Sequence, residues 1–209
     1  MDTLELYEDA LRRGQLNLFE ETETQAWDSD DWETPTWLAQ KIAGLLRPDE
    51  QRVLEPSAGS GQIVWELLQL GHTVTAIEPN PNRFVRLPQS PNLQRHLGRF
   101  ENTKIGSFDV VVTNPPFTMG IEFLRLALKH IKPDGRVLFL LPSDYFQAQG
   151  RAKEFSRLNC HISKMWPIVG RVAYLRNGTP ESNRQCYDSV FEFRRGQCDA
   201  PVTPIMQKS

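Results

Sequence analysis

Residues 52–71, RVLEPSAGSGQIVWELLQLG, constrain the fold of this chain more than any other stretch. An aliphatic run passes through Pro56 into a loop of small residues. QIVWELL then carries helical spacing, with Gly71 closing it. Glycines in such a loop let the backbone turn sharply from strand to helix and approach a ligand closely at the helix N-terminus. Dinucleotide-binding folds also use a glycine-rich first loop, so this unit narrows the fold before it names a ligand.

The alternation continues on both sides. Thr34 and Pro35 start a helix that runs through Trp37, Leu38, Ile42 and Leu45, with proline at an early turn where its missing N–H does no harm. HTVTAIEP reads as a second strand, followed by a helix around Asn82 to Leu87. FDVVVT is a strand that runs into Pro-Pro, IEFLRLALKHI is a helix closed by Lys132-Pro-Asp-Gly, and GRVLFLLP is another strand. Strands that are apolar throughout and alternate with helices predict an α/β fold, a mostly parallel sheet covered on both faces. Near the end, VGRVAYLR and YDSVFEFRR, joined by the polar NGTPESNRQ, predict an antiparallel strand pair at the end of the sheet. The expected organisation is an acidic, flexible arm over residues 1–32, one domain over 33–197 and a tail over 198–209.

Composition excludes several classes. Apolar residues make up 39% and charged residues 24% of 209, as in an ordinary soluble domain. The longest apolar run, Val137 to Leu141, has strand length and stops at Pro142, and the acidic MDTLELYEDA has no signal core. A cytoplasmic protein without membrane association is expected. Cys160, Cys186 and Cys198 form no CxxC pair and the four histidines are scattered, which argues against zinc and disulfides. The net charge of -2 hides an asymmetry: residues 1–33 carry 11 acidic residues against Arg12 and Arg13, a balance of -9, so the rest carries +7. A basic body fits a polyanion-binding surface and equally a solvated surface with an acidic tail.

Two further motifs carry chemistry. Glu78 closes the second strand 17 residues after Gly61, where a carboxylate can accept hydrogen bonds from ribose hydroxyls. Asn114-Pro115-Pro116-Phe117 follows FDVVVT at the carboxyl edge of the sheet. The prolines remove two N–H donors and leave carbonyls facing the site. The Asn114 side-chain oxygen beside the Pro115 carbonyl gives two acceptors for the two hydrogens of a planar amine, and Phe117 gives a flat face for a base.

With EPSAGSG and NPPF both present, the chain resembles the class I S-adenosylmethionine-dependent methyltransferases of the N6-adenine type, from about Glu33 to Arg195. The order of helix, glycine loop and NPPF resembles the gamma arrangement of DNA amino-methyltransferases. The resemblance implies a Rossmann-like methyltransferase fold with a seven-stranded sheet and S-adenosyl-L-methionine as cofactor. It places Thr34 and Pro35 near the cofactor's methionine carboxylate. Glu55, Gly59 and Gly61 fall around its amino acid moiety and Glu78 on its ribose, with Pro56, Ser57 and Asn114 also among the cofactor-binding residues. It assigns catalysis to Asn114, Pro115, Pro116 and Phe117, with no metal. One departure is Arg99, which stands where the family often has an acidic residue for the cofactor's adenine, leaving Glu101 or no residue in that role. With 14 residues after Arg195, no large target-recognition region is expected.

QLNLF, from Gln15 to Phe19, resembles the peptide by which bacterial proteins bind the DNA sliding clamp; the alternative, which a five-residue match leaves ahead, is an arm that packs Leu16, Leu18 and Phe19 on its own domain. Arg151, Lys153, Arg157, Lys164, Arg171 and Arg176 lie beyond the fifth strand, where they suit phosphate contact or a solvated helix face. The expected function is methyl transfer to the N6 amine of adenine in DNA, ahead of RNA. The alternatives are an RNA adenine or guanine amino-methyltransferase, a protein glutamine methyltransferase and a non-catalytic DNA- or clamp-binding module.

Overall fold

The computed structural model describes residues 32–176, 179–181 and 186–196. Of the arm at 1–32 only Trp32 is described; QLNLF and the tail at 198–209 lie outside the described residues. Helix α1 (Thr36–Ala43) has Pro35 at its N-cap and buries Leu38, Ala39, Ile42 and Ala43. Then follow β1 (Arg52–Glu55), α2 (Gln62–Gln69), β2 (Thr73–Glu78), the single turn α3 (Pro81–Phe84) and β3 (Leu93–Leu97). Strand β4 (Phe108–Thr113) leads through a 3-10 turn into α4 (Gly120–His130), which passes directly into β5 (Ile131–Pro142). Helix α5 (Gln149–Phe155), β6 (Cys160–Pro167), β7 (Tyr174–Arg176), β8 (Thr179–Glu181) and β9 (Asp188–Arg195) complete the described elements.

Seven strands form one sheet in the order β3-β2-β1-β4-β5-β9-β6. Strands β1 to β5 pair in parallel, while β9 is antiparallel to both β5 and β6. Successive side chains on a strand face opposite sides, and Val53 and Leu54, like Val110 and Val111, are all fully buried. Both faces of the sheet centre are therefore covered. On one face Phe123, Leu124 and Ala127 of α4 pack with Leu54, Val111, Phe139 and Phe193. Among the described residues no helix is long and apolar enough to cross a membrane.

An antiparallel pair does end the sheet, but with different partners from those expected. YDSVFEFRR lies between β5 and β6, whereas Tyr174–Arg176 folds onto Thr179–Glu181 as a separate ribbon. From Asp188 to Phe193 every residue of β9 is buried, so its backbone groups need sheet partners along both edges. A three-residue run cannot supply such an edge, and the eight-residue β6 does.

The amino end of the sheet holds a buried charge cluster. Arg136 on β5, 3% exposed, donates from Nε to Glu50 Oε1 at 2.7 Å and from Nη1 to Glu192 Oε2 at 2.5 Å. Its Nη2 reaches Glu50 Oε2 and the Leu45 carbonyl, both at 2.7 Å. Ser163 and Arg194 also donate to Glu192, at 2.6 and 2.9 Å. Burial opposes ionisation of Glu192, but the donors from Ser163, Arg136 and Arg194 outweigh it and hold its carboxyl down at about 2.

Candidate active site

From β1 the chain moves to β2 and β3 on one side, and β4 occupies the other side of β1. This is the switch point of the sheet, where open α/β folds leave a crevice beyond the carboxyl ends of the strands. The loops after β1 and β4 therefore meet. Ser57 Oγ pairs with Thr113 Oγ1 and donates to the Asn114 carbonyl at 3.2 Å. EPSAGSG and NPPF, about 60 residues apart in sequence, are two walls of one site.

In the first wall Gly59 and Gly61 have φ of +57° and +93°, a region that favours glycine. A Cβ at Gly61 would sit 3.0 Å from Pro88 Cδ and 3.1 Å from Leu87 Cδ2, whereas one at Gly59 would meet open space. The loop is tied to β2 through Glu78. Its Oε2 accepts the Gly59 N–H at 2.7 Å, and its Oε1 accepts the Asn80 N–H at 2.8 Å. Glu55 Oε1 accepts the Ser57 N–H at 3.1 Å, while its Oε2 is buried and has no hydrogen-bond partner. Beside Ser60, Gly61 and Gln62 opens a groove of about 380 Å³, flanked by Trp65 and Arg86.

In the second wall Asn114 Nδ2 donates to Thr34 Oγ1 at 3.2 Å, and Asn114 Oδ1 is buried without a partner. Pro115 is buried and Pro116 caps the 3-10 turn Phe117–Met119, its carbonyl accepting the Met119 N–H at 2.9 Å. Phe117 packs one side against the α4 core and keeps part of its ring exposed. The structure thus brings Thr34, Glu55, Ser57, Gly59, Gly61, Glu78 and Asn114–Phe117 to one end of the sheet, with Pro35 at the start of α1 beside them.

The electrostatics here are unusual for carboxylates. Burial raises Glu55 to about 8, against the opposing pull of the Thr113 hydroxyl and the Ser57 N–H. Burial likewise raises Glu78 to about 7, against the Asn80 and Gly59 N–H groups. The neighbouring Glu78 carboxyl pushes Glu55 up further. Arg99 is ion-paired to Glu101 at 3.8 Å just beyond β3.

Two features of the site have no motif in the sequence. Glu33 accepts Ser60 Oγ at 2.6 Å and Gln62 Nε2 at 3.2 Å, and its backbone pairs with Leu175 of β7. Tyr145, 1% exposed, places its phenol oxygen at the N-terminus of α4, where the Ile121 and Gly120 N–H groups lie in hydrogen-bonding reach. A Cβ on Gly120 would lie 2.6 Å from that oxygen, so the chain requires glycine directly after the NPPF turn. Arg151 stacks over the Tyr145 ring at 4.3 Å. The basic run is thereby distributed over several elements. Arg157 pairs with Glu154, and Lys164 on β6 lies 5.9 Å from the Trp166 ring centroid.

No family profile matches the chain. It is 29% identical over 130 residues to a probable dimethyladenosine transferase of Dictyostelium discoideum, an alignment covering 59% of this chain and 41% of that one. It is 26% identical over 143 residues to the dimethyladenosine transferase of Yarrowia lipolytica, covering 64% and 44%. The chain thus spans less than half the length of these curated relatives. Among solved structures it superposes on a candidate class I S-adenosylmethionine-dependent methyltransferase from Listeria monocytogenes with a TM-score of 0.63. That match has 15% identity and covers 95% of this chain and 70% of the other. A candidate RNA methyltransferase from Pyrococcus horikoshii matches at 0.57 and 16% identity, covering 78% and 81%. The fold is that of the class I methyltransferases. Within that fold the glycine loop after β1 and the loop after β4 meet at the switch point and place the crevice.

Proposed function

We propose that this chain transfers a methyl group from S-adenosylmethionine to the exocyclic amine of adenine in nucleic acid, with RNA ahead of DNA. The observation that carries the reading is Asn114 Oδ1: a buried acceptor with no partner, held beside a glycine loop at the switch point. An unsatisfied buried acceptor costs about 1–3 kcal/mol, so a donor from a ligand is the economical explanation for keeping it.

The first wall fits the cofactor. The open space at Gly59, the unpartnered Glu55 Oε2 and the second lone pairs of Glu78 suit a ligand with an ammonium group and a ribose. Glu55, Pro56, Ser57, Gly59 and Gly61 would hold its amino acid moiety and Glu78 its ribose hydroxyls, with Pro35 closing the end of the crevice. The cofactor supplies an electrophilic methyl group on a sulfonium.

The second wall acts on the amine. Asn114 Oδ1 and the Pro115 carbonyl accept its two hydrogens, drawing the nitrogen lone pair out of conjugation with the ring. Phe117 offers its partly exposed face to the base, and Pro116 fixes the turn that presents it. A flipped or single-stranded base is required, since neither wall can reach an amine inside a duplex. Positioning and aligned dipoles are the main sources of acceleration in this scheme.

The target order reverses the expectation from the sequence. The curated relatives are named as dimethyladenosine transferases, and a structural neighbour as a candidate RNA methyltransferase, which supports RNA. The clamp-like QLNLF, outside the described residues, is what still speaks for DNA. The deciding experiment offers labelled S-adenosylmethionine with RNA, single-stranded DNA, duplex DNA and protein extract in parallel, followed by nucleoside analysis. N6-methylated adenosine from RNA supports the reading; label only in DNA keeps the chemistry and restores the earlier order. Label only in protein, or none, overturns it.

A further inference from the structure

We infer that Arg151 grips a backbone phosphate of the nucleic-acid strand beside the target nucleotide, with the Tyr145 ring as its platform. The inference deepens the reading of the site as a nucleic-acid methyltransferase and rests on it. It assigns a group to the strand itself, which neither the glycine loop nor NPPF supplies.

The fold brings both residues to the NPPF end of the sheet. Strands β4 and β5 are parallel neighbours, so the loop after β5 lies beside the turn that follows β4. Tyr145 sits in that loop, three residues past Pro142, and is 1% exposed. Its phenol oxygen meets the backbone N–H groups of Gly120 and Ile121, which can only donate, so the oxygen accepts. Those two residues directly continue the turn Phe117–Met119. Tyr145 therefore ties the β5 loop to the segment that carries Phe117.

Arg151 is laid on this fixed ring. Its guanidinium carbon lies 4.3 Å from the ring centroid, the shortest cation–ring contact among the described residues. Stacking of this kind places a planar guanidinium and leaves the N–H donors along its edge open to an oxyanion. The residue is half-buried, so the charge is held without being sealed from solvent.

The ion pairs single out Arg151 from the basic residues beyond β5. Arg157 is paired with Glu154, which Arg125 of α4 also reaches, along with Glu122. Lys153 and Arg171 are exposed, and Lys164 lies against Trp166 on β6. Among the described residues no carboxylate is paired with Arg151. A cation fixed in place and not neutralised gains from an anion, and a strand that presents a flipped base brings its phosphates to this end. Such a contact adds affinity for any strand and carries no preference for flanking sequence.

The test is binding of a fluorescent single-stranded RNA with one adenine, and of DNA of the same sequence, by anisotropy across a salt series. Arg151→Gln should weaken binding about tenfold at low salt and flatten the slope of log K against log salt by about 0.7, the loss of one phosphate contact. Arg151→Lys keeps the charge and should keep the slope. The complementary measurement leaves the protein untouched. A single neutral methylphosphonate linkage, moved along the strand, should weaken wild-type binding at one position near the adenine, and Arg151→Gln should be indifferent to it there. Lower thermal stability of Arg151→Gln with the salt slope of wild type would mean that Arg151 only braces Tyr145, and overturns the inference. A methylphosphonate scan with the same profile in both proteins does so too. Binding needs no turnover: if the wild type methylates no amine yet Arg151→Gln loses one phosphate contact, the proposed function falls and this site stands. If the wild type binds no nucleic acid, both fall.

Discussion

Four buried glutamates occupy the two ends of one sheet and meet opposite surroundings. At the amino end Glu50 and Glu192 face Arg136, with Ser163 and Arg194 supplying further donors, and Glu192 is held ionised. At the carboxyl end Glu55 and Glu78 are equally buried but receive only N–H and hydroxyl donors, and burial pushes both toward the neutral form. The first cluster is complete within the protein. The second has acceptors left over, on Glu55 Oε2 and Asn114 Oδ1, and is therefore the end that gains from a ligand carrying donors and positive charge.

The contrast can be broken most forcefully at the amino end. Arg136→Met should cost up to about 3–5 kcal/mol of stability in urea or thermal unfolding, because it removes the buried cation that two buried carboxylates share and leaves them only the more exposed Arg47 and Arg194. A loss under about 1 kcal/mol would mean that the cluster is open to water and that the two ends do not differ. Next in size, Asn114→Ala should lower methyl transfer by about 10² or more, with cofactor affinity nearly intact, as for a group felt mainly in the transition state. Turnover equal to wild type would remove the meaning given to its unpartnered oxygen. Gly120→Ala asks whether the carboxyl end is as tightly built as the amino end. Its Cβ would meet Tyr145 Oη, so a loss of about 1–3 kcal/mol is expected, and Tyr145→Phe in the same chain should relieve part of it.

The smallest effect concerns protons. A bound ammonium group near Glu55 favours the carboxylate, so binding releases a proton wherever the free protein holds one. Cofactor affinity should rise by up to about tenfold per pH unit between pH 6 and 8 and then level off. Calorimetry in buffers of different ionisation enthalpy measures that proton directly, and Glu55→Gln should flatten the profile. Stability of the free protein follows the same signs. The raised Glu55 and Glu78 make it fall as pH climbs from about 4.5 toward 8, whereas the depressed Glu192 makes it fall as pH drops from about 4.5 toward 2. A free protein equally stable from pH 5 to 8, in both wild type and Glu55→Gln, would show that Glu55 is not held neutral.

The carboxyl end was legible in the sequence because its parts are local. A glycine loop, the glutamate closing the next strand and Asn-Pro-Pro-Phe each sit within a few residues of a strand end, where the fold class assigns them a place. The amino end was not legible, since Arg136 lies 86 residues from Glu50 and 56 from Glu192, and nothing near any of the three marks it as a partner. Strand β6 was hidden for a different reason: its residues are half-buried or exposed, without the continuous apolar run that announced β4 and β5, and lysine interrupts it. Glu33 and Tyr145 carry no motif either, and their roles arise only where separate segments meet.

The placement of β9 has a consequence for how the chain is made. This strand is the last of the sheet to be synthesised, yet it is inserted between two strands translated earlier, and its Glu192 completes the Arg136 cluster. Until the ribosome has passed Arg195, β5 has an unpaired edge and Arg136 lacks one of its two carboxylates. The amino-terminal strands can associate as they emerge, but the sheet closes only after synthesis has reached its final strand. Nascent chains stalled before Asp188 should therefore be the species most dependent on chaperones and most prone to pair with one another through that open edge.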